Sequence, residues 1–487
     1  MTRGCARLGD SKTSPNRTDR LHPLQRAVWR ALAPYRKKRI NVAFSGGNDS
    51  TALLSVIASL REPFGLRVRV LHVNHNWTSE SSAWEKHCEN FCRHLDLPFK
   101  SFTLEWRDDS GPRGNSGKFG EARAREQRYQ SFASVCGIED LLVTAHHLED
   151  QGETLILRLM RGSAIRGLGA MRPAQSLYGI MVLRPLLGVP KDQLQAWVAE
   201  HNLDIVCDGS NFDETYDRNL LRRRVFPILQ SRWPNTLNAL ARSAGHFQEA
   251  QSILDGVAAE DLAACKRSGR ANVLWDLGSV SKLRLLKLDG PRILNLLRYW
   301  VGINDLQVPS ERALREFVRQ LVSGGQSASP VLSAGGANFR CYRDRICLVP
   351  EPRLTEQTSP ESRVWQGPEL SVRGPDIVVT TRSTRTGGLS AELFREGTVE
   401  LRWRRGQQTV RPIGRGGHRR SLRKLLQESD LPPWQRERIP LVFINGRFAA
   451  MPQVVVDESC TAGVGEGTIE IQIRDLRKEE WSENDPL

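Results

Sequence analysis

The sequence predicts an α/β protein in three parts: a parallel sheet flanked by helices, a helical domain, and a small α+β domain at the carboxyl end. Three observations support this prediction. Strand-like and helix-like segments alternate from residue 39 to about residue 202, mainly helical segments follow to residue 350, and short strand-like segments dominate from residue 364. The chain has 487 residues, which is too long for one hydrophobic core and agrees with several domains.

Five segments of the first part are predicted strands because apolar residues dominate them. They are RINVAFS from Arg39, LRVRVLHVN from Leu66, PFKSFTLE from Pro98, DLLVTAH from Asp140 and YGIMVLRPLL from Tyr178. Helical runs such as DSTALLSVIASLRE and GEARAREQRYQSFASVCG lie between them. A strand–helix–strand succession favours parallel pairing with right-handed crossovers. Ligands bind such sheets beyond the carboxyl ends of the strands, which is where Ser45, His75 and His147 lie.

The pattern changes after the first part, and this change sets the predicted domain boundaries. Helices are predicted at SAGHFQEAQSILDGVAAEDLAAC and PRILNLLRYWVGI, before the strand-like NFRCYRDRICLVP and the linker-like EPRLTEQTSPESR. The last part has short strands and one basic helix, SLRKLLQESD, which ends before the prolines of LPPWQ. We therefore predict a disordered basic tail at 1–20, domains at 21–235, 236–352 and 364–487, and a linker at 353–363.

The chain is strongly basic, with a formal net charge of +15 and a pI of about 9.7. Such a field attracts polyanions, and nucleic acid is favoured over an anionic membrane because no basic amphipathic helix dominates. No window approaches the ~20 consecutive apolar residues of a membrane-spanning helix, and the first twenty residues have no apolar core for a signal peptide. We expect no membrane partner and a cytoplasmic location.

Nine cysteines, an odd number scattered through the chain, fit a reducing compartment better than a disulfide framework. Cys88 and Cys92 lie at helical spacing, with His87 and His94 nearby. A metal site is one interpretation, but its ligands would usually be tighter or paired with a second cluster. A helix face buried in the core is favoured, and we assign no metal site to the protein alone.

The stretch SGGNDS, Ser45 to Ser50, follows the first predicted strand and begins a helix. Adjacent glycines allow a tight turn and leave backbone N–H groups uncovered, so that the turn and the helix N-terminus make an anion cradle. It is neither a G-x-G-x-x-G fingerprint nor a Walker loop, and GPRGNSGKF has one residue too many before its Gly-Lys pair. The alternative is a plain strand-to-helix turn with Asp49 as a first-turn acid, worth ~0.3 to 1 kcal/mol.

The stretch also resembles the S-G-G-x-D-S signature of the PP-loop ATP pyrophosphatases, with every fixed position matched. Further blocks are similar, in order, to tRNA(Ile)-lysidine synthetases: HVNHNW, EARAREQRY, TAHHLEDQGETLILRLMRG, RPLL and DGSNFDETYDRNLLRRRVFPIL, and later VELRWRRGQQTVRP and SLRKLLQESDLPPWQRERIPLVF. Departures are Asn76 and Trp77, where that family usually has Gly and Leu or Met, and Glu149 in place of a frequent Asp.

The resemblance implies a parallel Rossmann-like sheet of the PP-loop, adenine nucleotide α-hydrolase type. It implies ATP-dependent ligation of free L-lysine to C2 of the wobble cytidine in the CAU anticodon of tRNA(Ile). An adenylated tRNA is the intermediate, AMP and pyrophosphate are released, and ATP and Mg²⁺ are the cofactors. By the same resemblance 21–235 is the ATP-binding catalytic domain, 236–352 the helical substrate or tRNA-binding domain, and 364–487 a tRNA-binding domain.

The resemblance also implies site residues. ATP is assigned to Ser45, Gly46, Gly47, Asn48, Asp49, Ser50, His75 and Arg125. Lysine binding and catalysis are assigned to Asp49, Asp150 and Glu153, with Asp49 also a candidate for Mg²⁺. Asp150 and Glu153 share a face if the helix runs on from Glu149. The alternative is that Glu149, Asp150 and Glu153 only complement a helix N-terminus.

Two histidine pairs and a set of arginines complete the candidates. His146 and His147 close a predicted strand, where neighbours point to opposite faces, so we expect only one of them to reach the site. The same alternation gives His72 a core or loop role. Arginine forks suit phosphates, and Arg125, Arg128, Arg161, Arg218 and Arg222 lie near the ligand edge of the sheet.

A basic stretch lies near the carboxyl end, with eight Arg, one Lys and no acidic residue between Arg402 and Lys424. It predicts a positive patch for an RNA backbone, with Trp403 and Trp434 in core or hinge positions. The residues assigned to tRNA are Arg128, Arg222, Arg402, Arg404, Arg419, Arg420 and Lys424.

Two alternatives stay open. Another PP-loop tRNA-modifying enzyme is one, although thiolation generally needs paired cysteines and Cys136 and Cys207 stand alone, while glutamine-dependent amide synthetases need an amidase domain. A non-catalytic RNA-binding relative is the other. The oligomeric state is open, with a homodimer as one option.

Overall fold

The computed structural model describes most of the chain. The described ranges are 20–76, 80–104, 117–137, 139–206, 215–266, 276–324, 329–351, 362–366, 369–372, 377–384, 388–403, 408–413, 417–429, 431–436, 438–463 and 466–475. The chain divides into two compact units between Ile253 and Leu254. The predicted tail at 1–20, all but its last residue, and nearly all of the predicted linker lie outside the described residues. The predicted domain boundaries stay predictions.

A six-stranded sheet is the centre of the first unit. Its strands are β1 Arg39–Ala43, β2 Arg67–Asn74, β3 Phe99–Thr103, β4 Asp140–Val143, β5 Ala174–Leu177 and β6 Ile180–Leu183. The strand order is β3-β2-β1-β4-β6-β5, and every pair from β3 to β6 is parallel. The predicted α/β class with a parallel sheet is therefore confirmed.

The edge strand β5 is a difference from the sequence prediction. It pairs antiparallel with β6 in the register Ala174 to Leu183 and Leu177 to Ile180. The two residues between these strands, Tyr178 and Gly179, both have positive φ, 52° and 77°. Two central residues of positive φ are the geometry of a type I′ hairpin turn, which joins antiparallel strands. The prediction missed this hairpin because a bulky tyrosine rarely adopts that conformation.

Helices cover both faces of the sheet and continue past it. They are α1 Pro23–Leu32, α2 Asn48–Phe64, α3 Ser81–His94, α4 Gly117–Ala133, α5 Leu148–Met160, α6 Ile165–Leu168, α7 Lys191–Glu200, α8 Asp217–Leu220, α9 Phe226–Arg232 and α10 Thr236–Cys265. A 3₁₀ turn at Ala33–Tyr35 follows α1, and a π-helical turn at Leu221–Val225 joins α8 to α9. The buried faces of α1, α2 and α7 meet the sheet in one apolar core.

The strand order places a crevice beside β1. The chain runs outward through β2 and β3 on one side of β1 and through β4 and β6 on the other. The loops that leave β1 and β4 therefore diverge at a topological switch point, which is where open α/β sheets bind ligands.

The second unit is built on antiparallel sheets and short helices. Its helices are α11 Lys282–Leu285, α12 Gly290–Gly302, α13 Glu311–Ser323, α14 Ala391–Glu396, α15 Leu422–Glu428 and α16 Pro433–Arg436, with a 3₁₀ turn at Glu458–Cys460. Its strands are β7 Ser279–Ser281, β8 Val331–Ser333, β9 Ala337–Tyr342, β10 Arg345–Pro350, β11 Ser362–Val364, β12 Glu369–Val372, β13 Ile377–Thr384, β14 Leu389–Ser390, β15 Val399–Arg402, β16 Thr409–Val410, β17 Arg420–Ser421, β18 Leu441–Ile444, β19 Arg447–Met451, β20 Val455–Val456 and β21 Thr468–Asp475.

Two cores organise this unit. The first joins α12 and α13 to the sheet β7-β10-β9-β8. The second lies between the sheets β11-β15-β18-β19-β20 and β12-β13-β21-β14. Trp403 is buried in the second core and donates its indole N–H to the Arg438 carbonyl at 2.9 Å, so its predicted core position is confirmed.

Two sequence predictions about apolar surfaces can be compared with the structure. Cys88 and Cys92 are fully buried on the inner face of α3, which confirms the interpretation of a core-facing helix. Burial raises the pKa of each thiol to about 12. Within the ranges that the structure describes, no helix combines the length and the apolar character that crossing a bilayer requires.

Candidate active site

The glycine turn between β1 and α2 is the first component of the site. Gly46 has a φ of 80°, and Gly47 is the N-cap of α2. A Cβ atom at Gly46 would lie 3.0 Å from Cys88 Sγ and 3.2 Å from Val206 Cγ2. Backbone conformation and space therefore both require glycine at this position.

Serine hydroxyls fix the shape of the turn. Ser50 Oγ donates to the Gly47 carbonyl at 3.0 Å and accepts from the Ser45 N–H at 3.3 Å, while the two serine Oγ atoms lie 3.0 Å apart. The Val206 N–H donates to the Gly46 carbonyl at 2.9 Å. These bonds hold the turn open at the start of α2, where uncovered amide groups and the helix dipole favour an anion.

His147 joins three carboxylates at the switch point. Its Nε2 lies 3.3 Å from Asp49 Oδ2 and 3.5 Å from Asp150 Oδ2, and its Nδ1 lies 2.9 Å from Glu149 Oε2. The His147 side chain is 1% exposed. An imidazole whose two nitrogens both face carboxylates donates from both of them, which requires the protonated form.

The charges in this cluster stabilise one another. Burial lowers the pKa of His147, but its hydrogen bonds to Asp49 and Glu149 and the nearby charges outweigh burial and raise that pKa to about 10. Burial raises the pKa of Asp49, and the hydrogen bond and charge of His147 reverse this to a net lowering. At neutral pH the site therefore holds an imidazolium between the ionised carboxylates of Asp49 and Glu149.

Glu153 lies on the inner face of α5 beside Asp150, and Arg222 contacts both acids. Arg222 Nε donates to Glu153 Oε1 at 2.8 Å, and Arg222 Nη2 lies 3.5 Å from Asp150 Oδ1. Glu153 is 0% exposed, and its Oε2 atom has no hydrogen-bond partner among the described residues. Burial is the main cause that raises the pKa of Glu153, against the charge of Arg222. The predicted shared face of Asp150 and Glu153 is thus present.

The alternative that the acids of α5 only complement a helix N-terminus is correct in part. Asp150 Oδ2 accepts from the His147 backbone N–H at 3.0 Å at the start of α5. Glu149 accepts from the Lys191 N–H at 3.0 Å and so caps α7. Glu153 serves neither helix end, because it lies in the second turn of α5. Helix capping therefore accounts for Glu149 and for one oxygen of Asp150, but not for Glu153.

The prediction that His146 and His147 close a strand is wrong. β4 ends at Val143, so both histidines lie in the loop before α5 and strand alternation does not apply to them. His146 accepts or donates a hydrogen bond with Thr144 Oγ1 at 2.8 Å, and burial lowers its pKa to about 3. His72 is buried and bonds the Phe44 carbonyl through Nδ1 at 2.8 Å, which confirms its core role. His75 follows β2 and is half-buried.

Asn76 explains one departure of this chain from the family pattern. Its φ is 51°, in the left-handed region, and its N–H donates to Asn74 Oδ1 at 2.8 Å. Asparagine tolerates this conformation better than other side chains, so it can stand where the pattern has glycine. Trp77 lies outside the described residues.

The predicted arginines have different surroundings. Arg222 pairs with the acids of α5, and the Arg125 guanidinium lies 5.3 Å from the centroid of the Tyr129 ring. Arg128 is half-buried on α4, and Arg161 is the C-cap of α5. In the second unit Arg402 Nε donates to Glu400 Oε2 at 2.8 Å and Arg420 pairs with Glu428 at 3.2 Å.

Two other members of the basic stretch, Arg419 and Lys424, are exposed. Arg404 lies outside the described residues. The predicted patch is therefore partly neutralised by Glu400 and Glu428, which lie just outside the sequence window in which no acid occurs.

The sequence prediction missed two charged features. The ion cluster around His147 was missed because Asp49 is distant from it in sequence. The other two acids, Glu149 and Asp150, follow His147 closely and were a recognisable signal. Arg184, directly after β6, is a buried cation; the RPLL block marked its position in the sequence but not its burial. Among the residues that the structure describes, no group of three or more His, Cys, Asp or Glu is arranged to hold a metal ion.

Comparisons with known proteins cover both units. Family models match residues 21–229, described as "PP-loop domain", residues 282–347, described as "TilS substrate binding domain", and residues 399–473, described as "TilS substrate C-terminal domain". The tRNA(Ile)-lysidine synthase of Methylococcus capsulatus is 34% identical over 410 residues, 84% of this chain and 90% of that protein. The protein of the same name from Legionella pneumophila (strain Paris) is 32% identical over 90% of this chain and 95% of its own length. That of Shigella flexneri is 34% identical over 88% and 94%.

Proposed function

Because this chain belongs to the tRNA(Ile)-lysidine synthase family, we propose how its site forms lysidine on tRNA(Ile) with ATP. The C2 oxygen of cytosine is a poor leaving group, so the reaction needs two steps. ATP first activates that oxygen, and the side-chain amine of free lysine then displaces it. The protein's part is to position the reactants and to stabilise charge.

In the first step, the cytosine O2 of the wobble nucleotide attacks the α-phosphorus of ATP. A new P–O bond forms, the bond to the β-phosphate oxygen breaks, and pyrophosphate leaves with the electron pair. The turn Ser45–Ser50 is proposed to hold the leaving group. Its support is the uncovered amide groups at the start of α2 and the two serine hydroxyls that meet beside them.

In the second step, the lysine side-chain nitrogen attacks C2 of the adenylated base. A C–N bond forms, and the C2–O bond breaks with departure of AMP. The amine is protonated at neutral pH, with a reference pKa of ~10.4, and must first lose a proton. Asp49, Asp150 and Glu153 are proposed to hold the ammonium group and to accept that proton.

One observation supports the lysine site above the others: the unpartnered Oε2 atom of Glu153. A buried carboxylate oxygen without a hydrogen bond is costly, and an ammonium group carries three donors that could satisfy it. Asp49 remains 29% exposed at its side chain, so a ligand can approach the cluster from that side.

His147 and Arg222 are proposed to position these acids. His147 keeps Asp49 ionised and fixes its direction, because the imidazolium also binds Glu149 and Asp150. Arg222 holds one oxygen of Glu153 and leaves the other free. The two cations offset part of the charge of these acids and order them before lysine arrives, and the remaining negative charge favours an ammonium group.

Mg²⁺ is proposed as the metal that accompanies ATP. It is usually held by one or two carboxylates together with substrate phosphates, and Asp49 beside the glycine turn fits that mode. The metal would neutralise the charge of the departing pyrophosphate. Because the substrates are tRNA and ATP, we place the reaction in the cytoplasm.

A thiolating function has no support from the cysteines in the described ranges. Cys136 is half-buried, and burial with the charge of Asp140 raises its pKa to about 11. A thiol of that pKa is a poor nucleophile at neutral pH. Cys207 lies outside the described residues.

The replacement Glu153→Gln tests this proposal. It keeps the shape of the side chain but removes the charge that binds ammonium. We expect the variant to transfer the labelled adenylyl group from [α-³²P]ATP to unmodified tRNA(Ile) at the parent rate. Incorporation of labelled lysine should fall by at least roughly tenfold, the loss of one charge-assisted hydrogen bond.

Glu149→Gln is the matched control, because it is the same exchange on the same helix. Glu149 caps α7 and bonds His147, so this variant should lose stability without separating the two steps. Equal lysine incorporation by the parent and by Glu153→Gln would remove Glu153 from the lysine site.

A further inference from the structure

Arg184 is a buried cation without an acidic partner. It follows β6 directly and is 3% exposed. Its Nη1 donates to the Arg172 carbonyl at 2.7 Å, and its Nε has no hydrogen-bond partner in the part of the chain that the structure describes. No Asp or Glu in the described ranges lies within ion-pair distance of its guanidinium.

Other arginines surround it instead of acids. The Arg125 guanidinium on α4 lies 5.3 Å from the centroid of the Tyr129 ring, and Tyr129 also makes a hydrogen bond with Arg184. Arg158 on α5 donates to the Ala170 carbonyl at 3.1 Å, two residues before the Arg172 carbonyl that Arg184 binds. Burial lowers the pKa of Arg158, and the charges of Arg125, Arg161, Arg184 and Arg218 of α8 lower it further. Burial lowers the pKa of Arg184, and the charge of Arg125 adds to that effect. Four elements thus bring guanidinium groups together despite their mutual repulsion.

Such an arrangement is unfavourable without a counter-charge. A buried charge that lacks a partner is strongly destabilising, and like charges nearby add to that cost. Arg158 Nη1 donates to the carbonyls of Gly167 and Ala170 at 2.6 and 3.1 Å, which satisfies donors but neutralises no charge. A bound anion would remove this cost.

We propose that Arg184, together with Arg125 and Arg158, forms a buried subsite for a phosphate group of one of the two phosphate-bearing substrates, ATP or RNA. The subsite lies at the carboxyl end of β6, next to β4, because the Thr144 N–H after β4 donates to the Leu183 carbonyl at 3.0 Å. It therefore adjoins the loop that carries His147. The assignment of the phosphate to ATP or RNA rests on the proposed function, whereas the existence of the anion site does not.

This subsite is separate from the glycine turn. The turn follows β1, and β4 lies between β1 and β6 in the sheet. Two strand spacings are about 10 Å, so a phosphate at Arg184 is not the group that the turn holds. The arginines would bind a second phosphate, farther along ATP or on the RNA backbone.

A purely structural role for Arg184 is the competing explanation. Its bond to the Arg172 carbonyl and its hydrogen bond with Tyr129 hold the approach to the β5–β6 hairpin. That role would affect stability but would change neither ATP affinity nor the salt dependence of RNA binding. These two binding properties therefore decide between the explanations.

The test uses the full chain with Arg184→Gln, which removes both the charge and the planar fork of the guanidinium. One arm measures the Kd of a non-hydrolysable ATP analogue without RNA. The other measures the Kd of unmodified tRNA(Ile) without lysine or ATP, from 50 to 300 mM salt. Neither arm needs turnover, so failure of the proposed lysidine reaction would appear separately, as a parent protein that incorporates no lysine.

An ATP phosphate in the subsite predicts a Kd for the analogue about tenfold higher in the variant, with an unchanged salt slope for RNA. An RNA phosphate predicts an unchanged analogue Kd and a slope of log Kd against log salt that is shallower by about 0.7 to 0.9. A variant that melts at the parent temperature and changes neither quantity overturns the proposal. Arg125→Gln, at a half-buried position, gives the same readouts if Arg184→Gln does not fold.

Discussion

The charged state of His147 makes stability depend on pH in a direction opposite to that of most buried histidines. Its pKa is raised from 6.5 to about 10 in the folded protein. At about 1.4 kcal/mol per pKa unit, this difference corresponds to roughly 5 kcal/mol of stabilisation from the proton. A raised pKa means that the contribution is fully present below pH 6.5 and is lost as pH rises through 10.

The replacement His147→Gln removes that proton-dependent contribution. We therefore expect the variant to lose about 4 kcal/mol more of its free energy of unfolding at pH 6.5 than at pH 9.5. The measurement is urea denaturation of the parent and the variant at half-unit pH steps, followed by tryptophan fluorescence and far-UV circular dichroism. The transition of the first unit is the one that reports on His147.

His72→Gln is the matched control in the same unit. His72 is buried too, but burial lowers its pKa despite its hydrogen bond to the Phe44 carbonyl. Its pKa is therefore at or below 6.5 in both the folded and the unfolded state, and its replacement should cost the same at every step from pH 7.5 to 9.5. If the cost of His147→Gln were equally constant, His147 would be a neutral side chain and the ion cluster would not exist in the form described.

Three further predictions concern the glycine turn, the loop after β2 and the basic stretch. Gly46→Ala should raise the KM for ATP at least roughly tenfold. Adding Cys88→Ala should restore only part of the lost ATP affinity, because the positive φ of residue 46 remains strained. Full restoration would show that only the contact with Cys88 matters. Asn76→Gly should leave the free energy of unfolding within about 1 kcal/mol of the parent value, whereas Asn76→Val should lower it by a further ~1–2 kcal/mol. Equal melting temperatures of the two variants would refute the argument that the positive φ is strained. Replacing the exposed Arg419 and Lys424 by serine should make the salt slope of tRNA binding shallower by about 1 to 2, and an unchanged slope would exclude these two residues from the RNA interface.

The parallel sheet and its ligand edge could be predicted from the sequence. The five predicted strands correspond to β1, β2, β3, β4 and β6, because strands buried on both faces are continuous apolar runs between helical segments. The glycine turn was also predictable, since two adjacent glycines at a strand-to-helix junction have few other physical uses. The β5–β6 hairpin was not predictable, because Tyr178 adopts a positive φ that its side chain disfavours.

The sequence by itself determined the fold class, the glycine turn and the acids that share one face of α5, because each depends on residues within about ten positions of one another. Only the tertiary structure decided the charges. It brought Asp49 to His147, which lies 98 positions later in the chain, by placing β1 beside β4, and it gathered Arg125, Arg158 and Arg184 near the end of β6. Charge and pKa depend on burial and on neighbours in space, and local sequence does not encode either.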